Sequence, residues 1–148
     1  MTTRRPQAGP PAQADSGQIT AFVVVMMAAL ILATGLVLDG GLTLGARERA
    51  LGEAQEAARA GAQAINLAVY RQHGTVVLDP AQAITDARAY LAGTGNSGTV
   101  QVRGDVVTVT VTIVQPMQIL DAAGLSAITV RATASAIPER GTSQAAVP

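Results

Sequence analysis

The chain is 148 residues long with 10 basic and 10 acidic residues, so its formal net charge is zero. That length allows one domain, or a small domain with an appendage. All 10 basic residues are arginine, scattered along the chain, which argues against a nucleic-acid binder and predicts no nucleic-acid partner. There is no cysteine, which excludes disulfides, thiolate zinc sites and cysteine nucleophiles, and one histidine makes a His-based metal site or Ser-His triad improbable. Apolar residues reach 49% but aromatics only 2%, namely Phe22, Tyr70 and Tyr90. Aromatics bury the most area each, so a large globular core is not expected.

Residues 1–15 hold three prolines and read as a disordered cytoplasmic tail, and residues 138–148 read as a second disordered tail. From Ser16 to Leu38 no residue is charged, and Ile19 to Leu38 is a nearly unbroken apolar run of twenty residues. As a helix it would cover about 30 Å, the thickness of a bilayer's hydrocarbon core. The span is assigned to 16–38. A buried helix of a soluble protein is the bland alternative, but the remaining chain is poor in the large apolar groups needed to wrap it. A removed secretory signal is the sharper rival. The run exceeds the usual ~7–15 residues of a signal core, and no small-x-small site precedes Asp39, so a retained anchor is expected. Arg4 and Arg5 before the span balance Arg47 and Arg49 after it. The reading adopted is a cell-membrane, single-pass protein with its N-terminus cytoplasmic and its C-terminal head outside.

Beyond the membrane the helix is expected to continue through 39–74. Leu44, Leu51, Ala54, Ala58, Ala62, Ile65 and Val69 recur at helical spacing, which predicts one face of a rod from Ile19 to His73, about 80 Å long. The glycines around Asp39 suggest local loosening there, and Gly74 is the expected closing residue. Residues 75–137 read as a small α+β head. Residues 75–78 suggest a short strand, and Asp79-Pro80 is a strong helix start. Ile84, Ala87 and Leu91 share one side of the helix that follows. Residues 93–98 read as a loop. Residues 99–103 and 106–114 alternate as strands around a Gly104-Asp105 turn, with Val107, Val109, Val111 and Ile113 inward. A short helix or turn is expected over 117–125. The last strand is 128–137, with Ile128, Val130, Ala132 and Ala134 covered. The fold class is therefore α+β: a long N-terminal transmembrane helix, an amphipathic Ala-rich extension, and a three- to four-stranded antiparallel sheet with one packed helix.

Several local patterns have a structural explanation. Arg103-Gly104-Asp105 spells an adhesion tripeptide but falls at the hairpin turn, where Gly-Asp has a backbone reason. His73 sits at a helix C-terminus, where a cation is mildly favoured. Met26 and Met27 read as lipid-facing or packing residues. Asp79, Asp86, Asp105 and Asp121 do not form a metal-loop spacing. No catalytic, cofactor-binding or metal site is expected. Gly41 and Gly45 form a GxxxG, and Ala29 and Ala33 a small-xxx-small pair; both let helices approach closely. With Leu51, Ala54, Ala58 and Ala62 they are the helix-packing candidates.

Ser16-Gly17-Gln18 opens the run, Asp39-Gly40-Gly41 closes it, and Ala46-Arg47-Glu48-Arg49 leads into an Ala-rich helix. This arrangement resembles the TadE/TadG-like proteins of the tight-adherence (Flp) pilus machinery, which are pseudopilin-like. The strand at 106–114, the Pro116 linker with Ile119, Leu120 and Gly124, and the final Val/Thr/Ala strand are similar too. The resemblance covers about 16–137. It implies a candidate processing junction at Gly17 and Gln18. Counting from Gln18, the fifth residue is Phe22 where prepilins resemble one another in carrying Glu, so the resemblance implies a minor rather than a major pilin role. It implies no enzyme activity, and as partners the lipid bilayer, other pilin-like or pilus-assembly membrane proteins, and a further copy of the chain. Two alternatives stay open: a membrane-tethered binding module, hinted at by the Thr-rich strand face, and a secreted protein with a cleaved signal.

Overall fold

The structure is a computed structural model and describes residues 15–139; of the tails expected at 1–15 and 138–148, residues 1–14 and 140–148 lie outside the described residues. Helix α1 runs unbroken from Asp15–Ala62, 48 residues, about 72 Å at helical rise. Gly40, Gly41 and Gly45, just beyond the apolar run, do not interrupt it. Thr34 and Thr43 each donate a hydroxyl hydrogen bond to the carbonyl one turn back, Leu30 and Asp39 respectively, both at 2.8 Å. Their polarity is thereby met within the helix.

The rod does not reach His73. It ends at Ala62, and a separate α2 spans Leu67–His73. Two cross-links pull the intervening backbone out of helical form. Asn66 N–H donates to Val77 O at 2.8 Å, and Asp79 N–H donates to Ala64 O at 2.7 Å. Asn66 then caps α2, its side chain accepting from the N–H groups of Ala68 and Val69. Gly74 closes α2 in the left-handed conformation, φ 67°, as its position after His73 suggests. The strand expected at 75–78 is reduced to a single bridge, Leu78 with Ile65. There is only one partner residue for it, because the chain turns into α3 at Pro80.

Helix α3 spans Pro80–Thr94 and starts as expected, Asp79 accepting from the N–H groups of Ala81 and Gln82 with proline at the first position. The sheet has three strands in the order β1 (Ser97–Arg103), β2 (Val106–Pro116), β3 (Ala127–Ala136), all antiparallel. The β1–β2 link is the two-residue Gly104-Asp105 turn, with Gly104 at φ 59°. A single 3-10 turn, Leu120–Ala123, sits in the β2–β3 connection.

The core lies between one face of the sheet and the helices. Val107, Val109 and Val111 are fully buried and Ile113 nearly so, the alternation that one covered sheet face demands. Against them lie Ala46, Ala50, Ala54, Ala57, Ala58 and Ala62 of α1, and Ala83, Ala87 and Leu91 of α3. On β3, Val130 is buried and Ala132 and Ala134 half-buried, but Ile128 is 45% exposed. Small alanines let α1 approach the valine layer closely, so a core without aromatics still packs at close range. Gly61 marks the tightest point: a Cβ there would lie 2.8 Å from Ala83 O and 3.0 Å from Val107 Cγ1.

Candidate membrane anchor and helix-packing surface

Gly35, Asp39, Thr43, Ala46, Ala50, Ala54, Ala58 and Ala62 recur every three or four residues, a stripe that winds slowly round α1. The whole head docks on that stripe, with α1 meeting β2, β3 and α3. The true stripe runs one residue away from part of the expected one. Leu44, expected inward, is 66% exposed, and Leu51 is half-buried. Ala46 and Ala50 take those places, because two leucines would hold the helix away from the sheet.

This placement corrects one expectation. Ala54, Ala58 and Ala62 are 0%, 0% and 7% exposed against the chain's own sheet and α3. They cannot also form a contact with a partner helix. The other candidates have a different setting. Ala29 and Ala33 are exposed. Gly41 and Gly45 have nothing within 4 Å of where a Cβ would stand. They lie about 200° and 240° round the helix from Asp39, on the side away from the head.

The apolar run itself is uncovered. Ile19, Phe22, Val25, Leu30, Ile31 and Val37 are all exposed in the isolated chain. Among the described residues α1 is the one helix long and apolar enough to cross a membrane, and almost none of its most apolar stretch is covered by the rest of the chain. A core helix of a soluble protein would be wrapped, so that alternative does not describe this helix. Large apolar side chains left uncovered along a stretch of this length call for an apolar medium.

Asp39 is the polar residue that sequence reasoning left out of the site. It is the first residue beyond the apolar run and is 1% exposed. Its Oδ1 accepts from Gln118 N–H at 2.8 Å; its Oδ2 accepts from Ile119 N–H at 3.1 Å and Leu120 N–H at 2.8 Å. One carboxylate thus caps the start of the 3-10 turn from another element and ties the β2–β3 connection to the helix. The Leu120 hydrogen bond holds the Asp39 carboxyl below its ordinary pKa, partly opposed by desolvation and reinforced by those from Gln118 and Ile119. A lone acid ending 23 uncharged residues was the available signal. Its partners, about 80 positions away in sequence, were not legible.

Several other polar groups have structural partners. Asn96 donates to both oxygens of Glu53, at 2.9 and 3.0 Å, tying the end of α3 to α1. Asp105, the acid of the adhesion-like tripeptide, accepts from Leu78 N–H at 3.3 Å. On the outer sheet face, Thr108 pairs with Ser135 and Thr110 with Thr133 through their hydroxyls. A depression of 610 Å³ is lined by Arg59, Gln63, Ser135 and Glu139, among others. Its only hydroxyl, on Ser135, is bonded to Thr108 rather than to a base. Among the described residues no three His, Cys, Asp or Glu side chains gather where a metal ion could be held.

Residues 17–64 match the family described as putative Flp pilus-assembly TadE/G-like. No curated protein and no solved structure matches the chain. The matched segment coincides with α1, running from the start of the apolar stretch through Asp39 to just past the alanine stripe. The long helix is similar to a TadE/G-like segment over those residues, and it is a candidate membrane helix.

Proposed function

We propose that the chain is a non-catalytic, single-pass membrane protein acting as a minor pseudopilin-like or assembly component of a tight-adherence (Flp) pilus or related secretion system. The N-terminus faces the cytoplasm and the head lies on the other side of the membrane. The observation that carries this reading is the uncovered apolar helix that is continuous with the family segment. An apolar stretch that its own head leaves almost wholly uncovered has lipid and other helices as its surroundings.

The mechanism is structural. Residues 16–38 anchor the chain and pack laterally in the bilayer. Ala29 and Ala33 within the span, and Gly41 and Gly45 beyond it, are the places where a neighbouring helix can come close. That neighbour is a pilin-like or pilus-assembly membrane protein, or a second copy of the chain. The alanine stripe from Ala46 to Ala62 holds the private head and does not enter the contact. Gly17–Gln18 is the candidate processing junction, and Phe22 in place of the prepilin glutamate favours the minor role.

Single cysteines at Ala33, Gly41 and Ala58 test this reading in membranes that contain the pilus machinery. Oxidative cross-links are expected at Ala33→Cys or Gly41→Cys, and none at Ala58→Cys. Wholly monomeric behaviour at both of the first two positions would overturn the lateral-packing mechanism.

A further inference from the structure

The β2–β3 connection sits at a height on α1 that has a consequence for where it meets the bilayer. Asp39 holds Gln118, Ile119 and Leu120 by their N–H groups. From there Ile119 reaches back along the helix towards its N-terminus. A Cβ on Gly35 would lie 2.7 Å from Ile119 Cγ2, and Ile119 shares a groove with Leu30, Ile31 and Thr34. Gly35 is four residues before Asp39, about 6 Å deeper along the helix. Ile119 therefore lies beside residues of the apolar run, not above it.

The bilayer has little freedom to avoid it. Leu36, Val37 and Leu38 are 65%, 78% and 48% exposed within the chain, and in the anchor reading lipid, or a neighbouring helix within the bilayer, covers them. Any level that covers them also covers the height of Ile119. Lowering the bilayer to end at Gly35 leaves 17 residues from Ile19, about 25 Å of helix, at the lower limit for a span.

The connection has the chemistry for that position. Between Asp105 and Arg131 the sequence carries one charge, Asp121. Leu125, Ile128 and Val114 are exposed at 59%, 45% and 64%, around the same end of the sheet. Gly35 lets Ile119 lie flush on the helix. The three N–H groups that the open loop would expose to lipid are those that Asp39 satisfies, so each cancels a polar cost of the other.

We propose that residues 117–125 form a second membrane-contacting element, seated in the interfacial layer of the leaflet through which α1 leaves. The partner is the lipid bilayer itself. Two points of contact fix the depth of the head and its rotation about α1, so the face carrying Gly41 and Gly45 is presented in a set direction. This inference rests on the anchor reading above.

The chain has no cysteine, so single labels are clean. An environment-sensitive fluorophore is placed on the full chain at Leu125→Cys, at Val25→Cys in the span, and at Ala81→Cys on α3. The last is two residues before Ala83, which lies against Gly61, about 33 Å up the helix from Asp39. The chains are reconstituted in phosphatidylcholine–phosphatidylglycerol vesicles. Quenching by aqueous iodide is compared with quenching by lipids carrying a nitroxide near the headgroup. The Leu125 label is expected to be several-fold less accessible to iodide than the Ala81 label and quenched by the shallow nitroxide. Equal iodide access at 125 and 81, with Val25 still quenched from lipid, overturns the second contact and leaves the anchor standing. Loss of lipid quenching at Val25 as well overturns both.

Discussion

Gly61 and Gly52 stand on the same helix, nine residues apart, and adding one methyl group to each should have opposite effects. At Gly52 a new Cβ meets nothing within 4 Å. Gly52→Ala therefore registers only the backbone effect, a gain of about 0.5–1 kcal/mol from restricting the unfolded chain. At Gly61 the same methyl group would lie 2.8 Å from the Ala83 carbonyl oxygen, 3.0 Å from Val107 Cγ1 and 3.3 Å from Ala87 Cβ. Carbon atoms pack best at about 3.5–4.0 Å. The nearest obstacle is α3 backbone, which cannot swing aside as a side chain would, so overpacking of about 1–3 kcal/mol applies. The backbone gain is small at Gly61, next to the last helical residue, and the net change is a loss of about 1–2 kcal/mol. For a head of this size each kcal/mol is worth about 4–8 °C in melting temperature. Calorimetry of the full chain in detergent should show Gly52→Ala melting a few degrees higher and Gly61→Ala clearly lower. Two variants that both raise the melting temperature would refute the close approach of α1 to α3.

Three further outcomes follow from the same geometry. Asp39→Ala should speed hydrogen exchange at Gln118, Ile119 and Leu120 without altering β1, while Asp39→Asn, which keeps one acceptor oxygen, should have a smaller effect. The folded carboxyl is held below its ordinary pKa, so its contribution is full above the unfolded value of about 3.9 and is lost as pH falls through the folded value. Exchange at these three amides should therefore stay protected at pH 5 and rise, after correction for intrinsic rates, only in stronger acid. Val109→Ala, at a fully buried position, should cost about 2–3 kcal/mol through lost burial and the cavity left behind; Val114→Ala, largely exposed, should cost almost nothing by the same melting assay.

The parts legible in the sequence are those whose cause is local. The apolar run needs only its own length and lack of charge to be recognised. Asp79-Pro80 declares a helix start through its own side chain and ring. Gly104-Asp105 flanked by alternating valines declares a hairpin, and the valines inside β2 fall on the covered face as their period requires. The parts that were not legible depend on distant partners. Ala64 and Ile65 suit a helix, so periodicity ran straight through the break. What ends α1 is the pairing of residues 64–66 with 77–79. Alanine periodicity identified a packing stripe but could not say against what; the sheet that takes it comes from residues more than forty positions later. Asp39 looked like a boundary marker, and its grip on Gln118, Ile119 and Leu120 is visible only once the chain has folded back.

Extraction of membranes with alkaline carbonate probes the central claim, that the stretch Ile19–Leu38 resides in lipid and holds the head at the membrane. The full-length chain should stay with the membrane pellet after washing at high pH. Release of the intact chain into the supernatant would contradict the account.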